Sequence, residues 1–242
     1  MSDNLQPRGS DDTTLVQPMF TPIKRRSFFM YAGATAGATA LVLAGCSKDA
    51  VTPTSSAISL GSGDVGVLNY AYALEQLEAA FYAQVVKTPA GDFQTGELAY
   101  FTEVAAHEAI HRDFFKAAIN RDAPGKLLQN LTPNFTSIDF TKRASVLSTA
   151  KTFEDLGVAA YNGAGKLIKT AAYLVIAGQI VSVEARHAAY IRDLLDTTGK
   201  AFAGDDQVDP ITGLDKAMMP MDVIVAAQAY IMEKLDASTV GK

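Results

Sequence analysis

Two of the chain's three histidines stand three residues after a glutamate, in Glu108-Ala109-Ile110-His111 and Glu184-Ala185-Arg186-His187. On a helix that spacing puts the carboxylate and the imidazole on one face. Two further glutamates, Glu75 and Glu154, are each followed seven residues later by a tyrosine, Tyr82 and Tyr161. One glutamate from each of two helices plus Glu-x-x-His from each of two others is a ligand set that holds two iron or two manganese ions. Oxygen-rich ligation with one imidazole per ion suits Fe or Mn better than a four-coordinate zinc site rich in Cys or His. The candidate metal ligands are therefore Glu75, Glu108, His111, Glu154, Glu184 and His187.

Those residues need four helices to carry them, and the apolar pattern supplies four. Leu68, Tyr72, Glu75, Ala79, Tyr82 and Val86 recur at helical steps on the first. Phe101, Val104, Glu108, His111, Phe115 and Ala118 do so on the second. Leu147, Ala150, Glu154, Gly157 and Tyr161 form the third stripe, and Tyr173, Ala177, Ile180, Glu184, His187, Ile191 and Leu194 the fourth. Each stripe is apolar except for a carboxylate near its middle. A buried carboxylate is costly unless neutralised or paired, and no lysine or arginine lies on these stripes. Two divalent cations balance four glutamates, with the histidines neutral. The order Glu…Tyr, Glu-x-x-His occurs twice, so the chain reads as two copies of a helix hairpin facing each other. Glu78, one turn from Glu75, is an alternative ligand; the shared Glu-to-Tyr spacing favours Glu75. His107 is a third candidate nitrogen, better suited to the surroundings of the site than to ligation.

The stretch from about Val65 to Leu195 resembles the ferritin-like domain family, in particular bacterial ferritin-like proteins of the desiccation-related type. The segments that carry the resemblance are residues 68–82, Glu108-Ala109-Ile110-His111, Phe153-Glu154-Asp155 and residues 183–190. The resemblance implies an all-α four-helix bundle with a long crossover between helices 2 and 3, here residues 121–139 with Pro124 and Pro133. It implies the same six ligands, and it sets Tyr82 and Tyr161 beside the metal pair. On their apolar stripes the two tyrosines are either plain core or donors of a hydrogen bond to a ligand carboxylate. One such bundle hosts many reactions, so the resemblance bears on fold and metal site more than on chemistry.

The N-terminal region reads as an address. Lys24-Arg25-Arg26-Ser27-Phe28-Phe29 precedes a moderately apolar run ending in Leu43-Ala44-Gly45-Cys46. A basic patch, an apolar stretch and small residues make a secretory signal. The Arg pair resembles a twin-arginine export signal, and the last four residues resemble the lipobox of bacterial lipoproteins, whose cysteine is lipidated. Cys46 is the only cysteine, which excludes an internal disulfide and any thiolate cluster. The expected organisation is a signal over 1–45, a flexible spacer over 46–63, the bundle over 64–199, and a C-terminal extension over 200–242 with one helix from about 221 to 235.

A net charge of −5 with the two signs well mixed offers no basic stripe for nucleic acid. The expected protein is thus exported and held at the cell envelope, its partners the membrane, through a lipid on Cys46, and a small oxidant or metal-ion substrate. A homo-oligomer stays open. The expected chemistry is redox work on oxygen, peroxide or ferrous iron in stress protection, of the ferroxidase or catalase kind. The rival reading is a non-catalytic envelope bundle whose ions only staple it.

Overall fold

The computed structural model describes residues 57–242. The signal segment, the lipobox and Cys46 lie outside the described residues. Four helices of 23 to 26 residues dominate: α1 (Gly63–Lys87), α2 (Glu97–Asp122), α3 (Arg143–Gly165) and α4 (Ala171–Leu195). Helix α1 packs on α2, α3 on α4, and α1 meets α3 across the bundle. Residues 123–142 make the long crossover between the two hairpins. A short helix α5 (Pro220–Ala227) and a two-residue parallel ladder, β1 (Ile58–Ser59) with β2 (Leu235–Asp236), complete an all-α architecture. Among the described residues no helix is long and apolar enough to cross a membrane.

Polar clamps hold the two ends of the bundle. At one end Gly96 takes a left-handed φ of 92°, which favours glycine, and lets the chain turn into α2. The buried carboxylate of Glu97 then accepts the Gln94 N–H at 2.8 Å and a 2.6 Å bond from Arg143 Nη2. The same guanidinium donates to the Leu194 carbonyl at 3.1 Å, so one side chain ties the start of α2 and of α3 to the end of α4. At the other end Asp64, in the first turn of α1, accepts the N–H groups of Lys169 and Thr170 at 2.8 and 2.9 Å. That fixes the five-residue α3–α4 turn against α1.

Helix α1 is buried on nearly every side, whereas α2 and α4 each bury a narrow stripe that includes their Glu-x-x-His. The difference arises because the crossover and residues 240–242 close over α1, where the Gly63 N–H bonds the Lys242 carbonyl at 2.9 Å. Asn69 of α1 donates to the carbonyls of Leu60 (3.2 Å) and Lys126 (2.8 Å) and accepts the Leu128 N–H (2.9 Å). Gln76 accepts the Leu131 N–H at 2.9 Å. Polar groups in an apolar region have thereby found backbone partners, as burial requires.

The extension differs from its expected form. Helix α5 ends at Ala227 rather than near 235, because Gln228 turns the chain: its side chain donates to the Ile231 and Glu233 carbonyls (3.1 and 2.8 Å) and accepts the Leu235 N–H (3.2 Å). Strand β2 then finds β1 within the segment expected to be spacer, where Leu60 is fully buried. Val223, Ile224, Ala227, Ile231 and Val240 all join the common core. At Gly163 a Cβ would stand 1.7 Å from the Met218 carbonyl oxygen, so only glycine lets the extension lie this close to α3. The Met218 N–H bonds the Ala159 carbonyl there at 2.9 Å. A second staple is Arg192 of α4, buried between Asp155 and Asp206 at 2.7 Å from each.

Candidate metal centre

The four carboxylate-bearing stripes meet in the middle of the bundle. Glu75 comes from α1, Glu108 and His111 from α2, Glu154 from α3, Glu184 and His187 from α4. All four glutamates are fully buried and the histidines nearly so. One group comprises Glu75, Glu108, His111 and Glu184; a second comprises Glu108, Glu154, Glu184 and His187, each with ligand atoms within 4.8 Å of one another. Glu108 and Glu184 belong to both. The geometry is nearly two-fold. His111 Nδ1 stands 2.8 Å from Glu184, 3.5 Å from Glu108 and 3.6 Å from Glu75. His187 Nδ1 stands 3.0 Å from Glu108, 3.5 Å from Glu154 and 4.0 Å from Glu184.

The tyrosines complete this symmetry. Tyr82 donates its hydroxyl proton to Glu154 Oε1, and Tyr161 donates to Glu75 Oε1. Each tyrosine therefore serves the glutamate of the other hairpin and leaves Oε2 of that carboxylate facing the centre. Among the described residues, eight buried atoms there find no hydrogen-bond partner: Oε2 of Glu75 and Glu154, both oxygens of Glu108 and Glu184, and Nδ1 of both histidines. They approach one another closely without hydrogen-bond alignment. One orphaned buried polar atom costs about 1–3 kcal/mol. Eight would be on the order of a whole domain's stability, about 5–15 kcal/mol. Hard cations with oxygen and imidazole ligands would partner every one of them, so the donor set fits metal ions.

Without cations, protons must do the balancing. Burial raises Glu75 to about 7 and pushes Glu184 well above the usual carboxylate range, with Glu108 adding to both. Burial raises Glu154 as well. Burial also opposes charge on Glu108, but the two imidazoles outweigh it and hold that carboxyl at about 2. The histidines move the other way. Burial disfavours their charge, yet the carboxylates around them lift His111 to about 12 and His187 to about 10. A metal-free cluster is therefore a store of protons that cations displace.

Glu78, the alternative ligand, lies in neither group. It is buried beside α3, where its Oε1 would be 3.1 Å from a Cβ at Gly157, and burial with the charges of Glu184 and Glu108 keeps it protonated. His107 is exposed, and its Nδ1 lies 3.0 Å from Nε2 of His187 with the rings stacked 9° from parallel. If His187 presents Nδ1 to an ion, its Nε2 carries the proton and His107 accepts it. Tyr100 holds the same helix by donating to the His187 carbonyl at 3.1 Å, a contact that no local spacing signals. Asp113 and Asp193 face solvent, away from the cluster.

A family model for the ferritin-like domain matches residues 63–197, from the start of α1 to just past the end of α4. No curated protein matches the chain.

Proposed function

The chain belongs to the ferritin-like domain family, and on that premise we propose that its buried cluster holds two iron or manganese ions that work by redox chemistry. When bound, such ions supply electron transfer between divalent and trivalent states, with dioxygen, peroxide or ferrous iron as the substrate class. One observation carries the reading: eight unpartnered ligand atoms converge in two groups that share Glu108 and Glu184. The protein's own residues divide the remaining work. Glu108 and Glu184 offer an oxygen to each side. Tyr82 and Tyr161 hold the outer oxygens of Glu154 and Glu75, which fixes how those carboxylates present Oε2. His107 sets the tautomer of His187, and burial keeps bulk water out.

The same proposal sets this chemistry at the cell envelope, in stress protection. Support comes from the basic patch Lys24-Arg25-Arg26, the apolar run behind it and Leu43-Ala44-Gly45-Cys46. A lipid on Cys46 would tether the bundle to a membrane. Metabolic labelling with a radioactive fatty acid tests this: label on the native chain, lost in Cys46→Ser, supports the tether, and an unlabelled native chain refutes it.

Elemental analysis after anaerobic loading tests the metal reading. About two Fe or Mn per chain is expected, with none in the Glu108→Ala, Glu184→Ala double variant. No transition metal in the native chain would sink the proposal. Ions that bind but keep their oxidation state under air and under peroxide would favour a structural staple instead.

A further inference from the structure

A narrow apolar cleft reaches the Tyr161 side chain at one end of the cluster. It starts among half-buried side chains at the bundle's end, Asp64, Tyr173 and Ala177, and runs inward between Phe115, Leu74 and Ala164. Its inner wall includes Tyr161, whose hydroxyl donates to Glu75. One side chain thus separates the cleft from a proposed ligand. The free volume is about 30 Å³, room for about two molecules the size of water.

The polar groups along it are nearly all engaged. The Asp64 carboxylate accepts two backbone N–H groups, the Tyr173 hydroxyl bonds Asp122, and the Tyr161 hydroxyl bonds Glu75. One group has no partner among the described residues: the Tyr70 hydroxyl, on a residue only 1% exposed. A ferrous ion entering here would give up its hydration for a single hydroxyl, a prohibitive exchange. Peroxide, with two donors and several lone pairs, would also lose most of its hydrogen bonds. An uncharged diatomic has almost no hydration to lose and fits the bore.

We propose that this cleft is the binding and entry site for dioxygen, resting on the dimetal reading above and choosing dioxygen over peroxide as the oxidant that reaches the cluster by this path. The small side chains Ala164 and Ala177 keep the path open, and the Tyr161 ring forms its inner gate. A larger side chain at Ala177, half-buried at the mouth, would close it with little disturbance of the core.

Xenon is a suitable probe, since apolar cavities admit it and it needs no metal. The full chain carrying Cys46→Ser is freed of metal, and its methyl resonances are followed under xenon pressure. Saturable shifts at Leu74, Ala164 and Ile176 are expected, abolished in Ala177→Phe; unmoved methyls in the wild-type cleft would overturn the proposal without any variant. In the iron-loaded protein, Ala177→Phe should lower the second-order rate of oxidation by dioxygen at least about tenfold and the rate with peroxide less than about twofold. An unchanged dioxygen rate in a variant that has lost its xenon shifts would overturn the proposal while leaving the metal centre intact. Failure to take up metal, with xenon shifts present, would instead sink the dimetal reading and dioxygen delivery with it.

Discussion

Tyr82 and Tyr161 perform the same task in opposite surroundings. Each lies seven residues after a glutamate, and each donates to the glutamate of the other hairpin. Tyr82 has no exposed surface: Phe81 packs edge-on at 5.0 Å, Phe101 stacks at 6.0 Å, and Phe93 closes over Phe101 at 5.2 Å. Tyr161 is half-buried and faces the cleft, its nearest aromatic partner Phe115 at 6.4 Å. If the cluster holds two ions as proposed, a symmetric site uses both tyrosines, and both halves of the repeat carry them. Access needs one opening, so the residues around them are free to differ. On the proposed reading the repeat specifies the ligands, and the departures from it specify traffic.

The largest test asks whether the ligand half of that comparison is truly symmetric. Glu184→Ala removes a carboxylate shared by both groups and is expected to abolish uptake of both ions. Glu75→Ala and Glu154→Ala should each cost one ion, whichever end is cut. Native mass spectrometry of loaded protein reads all three. Loss of both ions in Glu75→Ala but not in Glu184→Ala would break the assignment of shared and terminal ligands.

The next effect concerns pH. In the metal-free fold Glu75 sits at about 7 against an ordinary 4.5, and burial also raises Glu184 well above that ordinary value, so above pH 4.5 the folded state binds more protons than the unfolded one. Stability then falls as pH rises. His111 and His187 act in the same direction: their contribution is full below the ordinary 6.5 and is lost as pH climbs toward their folded values of about 12 and about 10. Glu108, at about 2, stabilises above 4.5 and matters only in acid. Metal displaces the stored protons, so its affinity rises with pH. Calorimetry should find the metal-free midpoint falling between about pH 5.5 and 8 while the gap to the loaded protein widens. A gap that narrows over that range would mean the ions bind elsewhere.

The six converging residues and their helices were legible because their signal is local: a charge on an apolar stripe, repeated at the same spacing, needs no knowledge of neighbours. The crossover was expected from the family resemblance, over residues 121–139, and lies over residues 123–142. The cleft was not. It depends on Ala164 and Ala177 from different helices being small at the same level, and no spacing in one segment encodes that. The extension failed in a third way. An apolar run suggested a helix to 235, but Gln228 bonds its own downstream backbone and delivers Leu235 to a strand more than 170 residues earlier. The packing of Gly163 on Met218 is equally non-local.

A pair of conservative variants sharpens the contrast between sealed and open ends. Tyr82→Phe strands Glu154 Oε1 where water cannot follow, and should cost about 1–3 kcal/mol of metal-free stability. Tyr161→Phe strands Glu75 Oε1 beside the cleft, where a water can replace the hydroxyl, so the loss should stay below about 1 kcal/mol. Urea unfolding separates the two. Equal losses would show that the Tyr161 end is as closed as the other.

The smallest expected effect comes from the one place where the imidazoles themselves differ. His107 precedes Glu108, while Val183 precedes Glu184, so only His187 has an imidazole beyond it. Removing that acceptor in His107→Ala leaves the His187 Nε2–H to water and frees the ring to tilt. Loss of such an outer partner weakens metal affinity by roughly 10- to 100-fold; because His107 is exposed and water can substitute, about tenfold is expected here. The loss should fall on the ion held by Glu154 and His187 alone, turning an even two-step binding isotherm into one strong and one weakened step. Asparagine at 107 can still accept the proton and should restore most of the affinity. An isotherm weakened equally in both steps would mean that His107 acts on the bundle as a whole and not through His187.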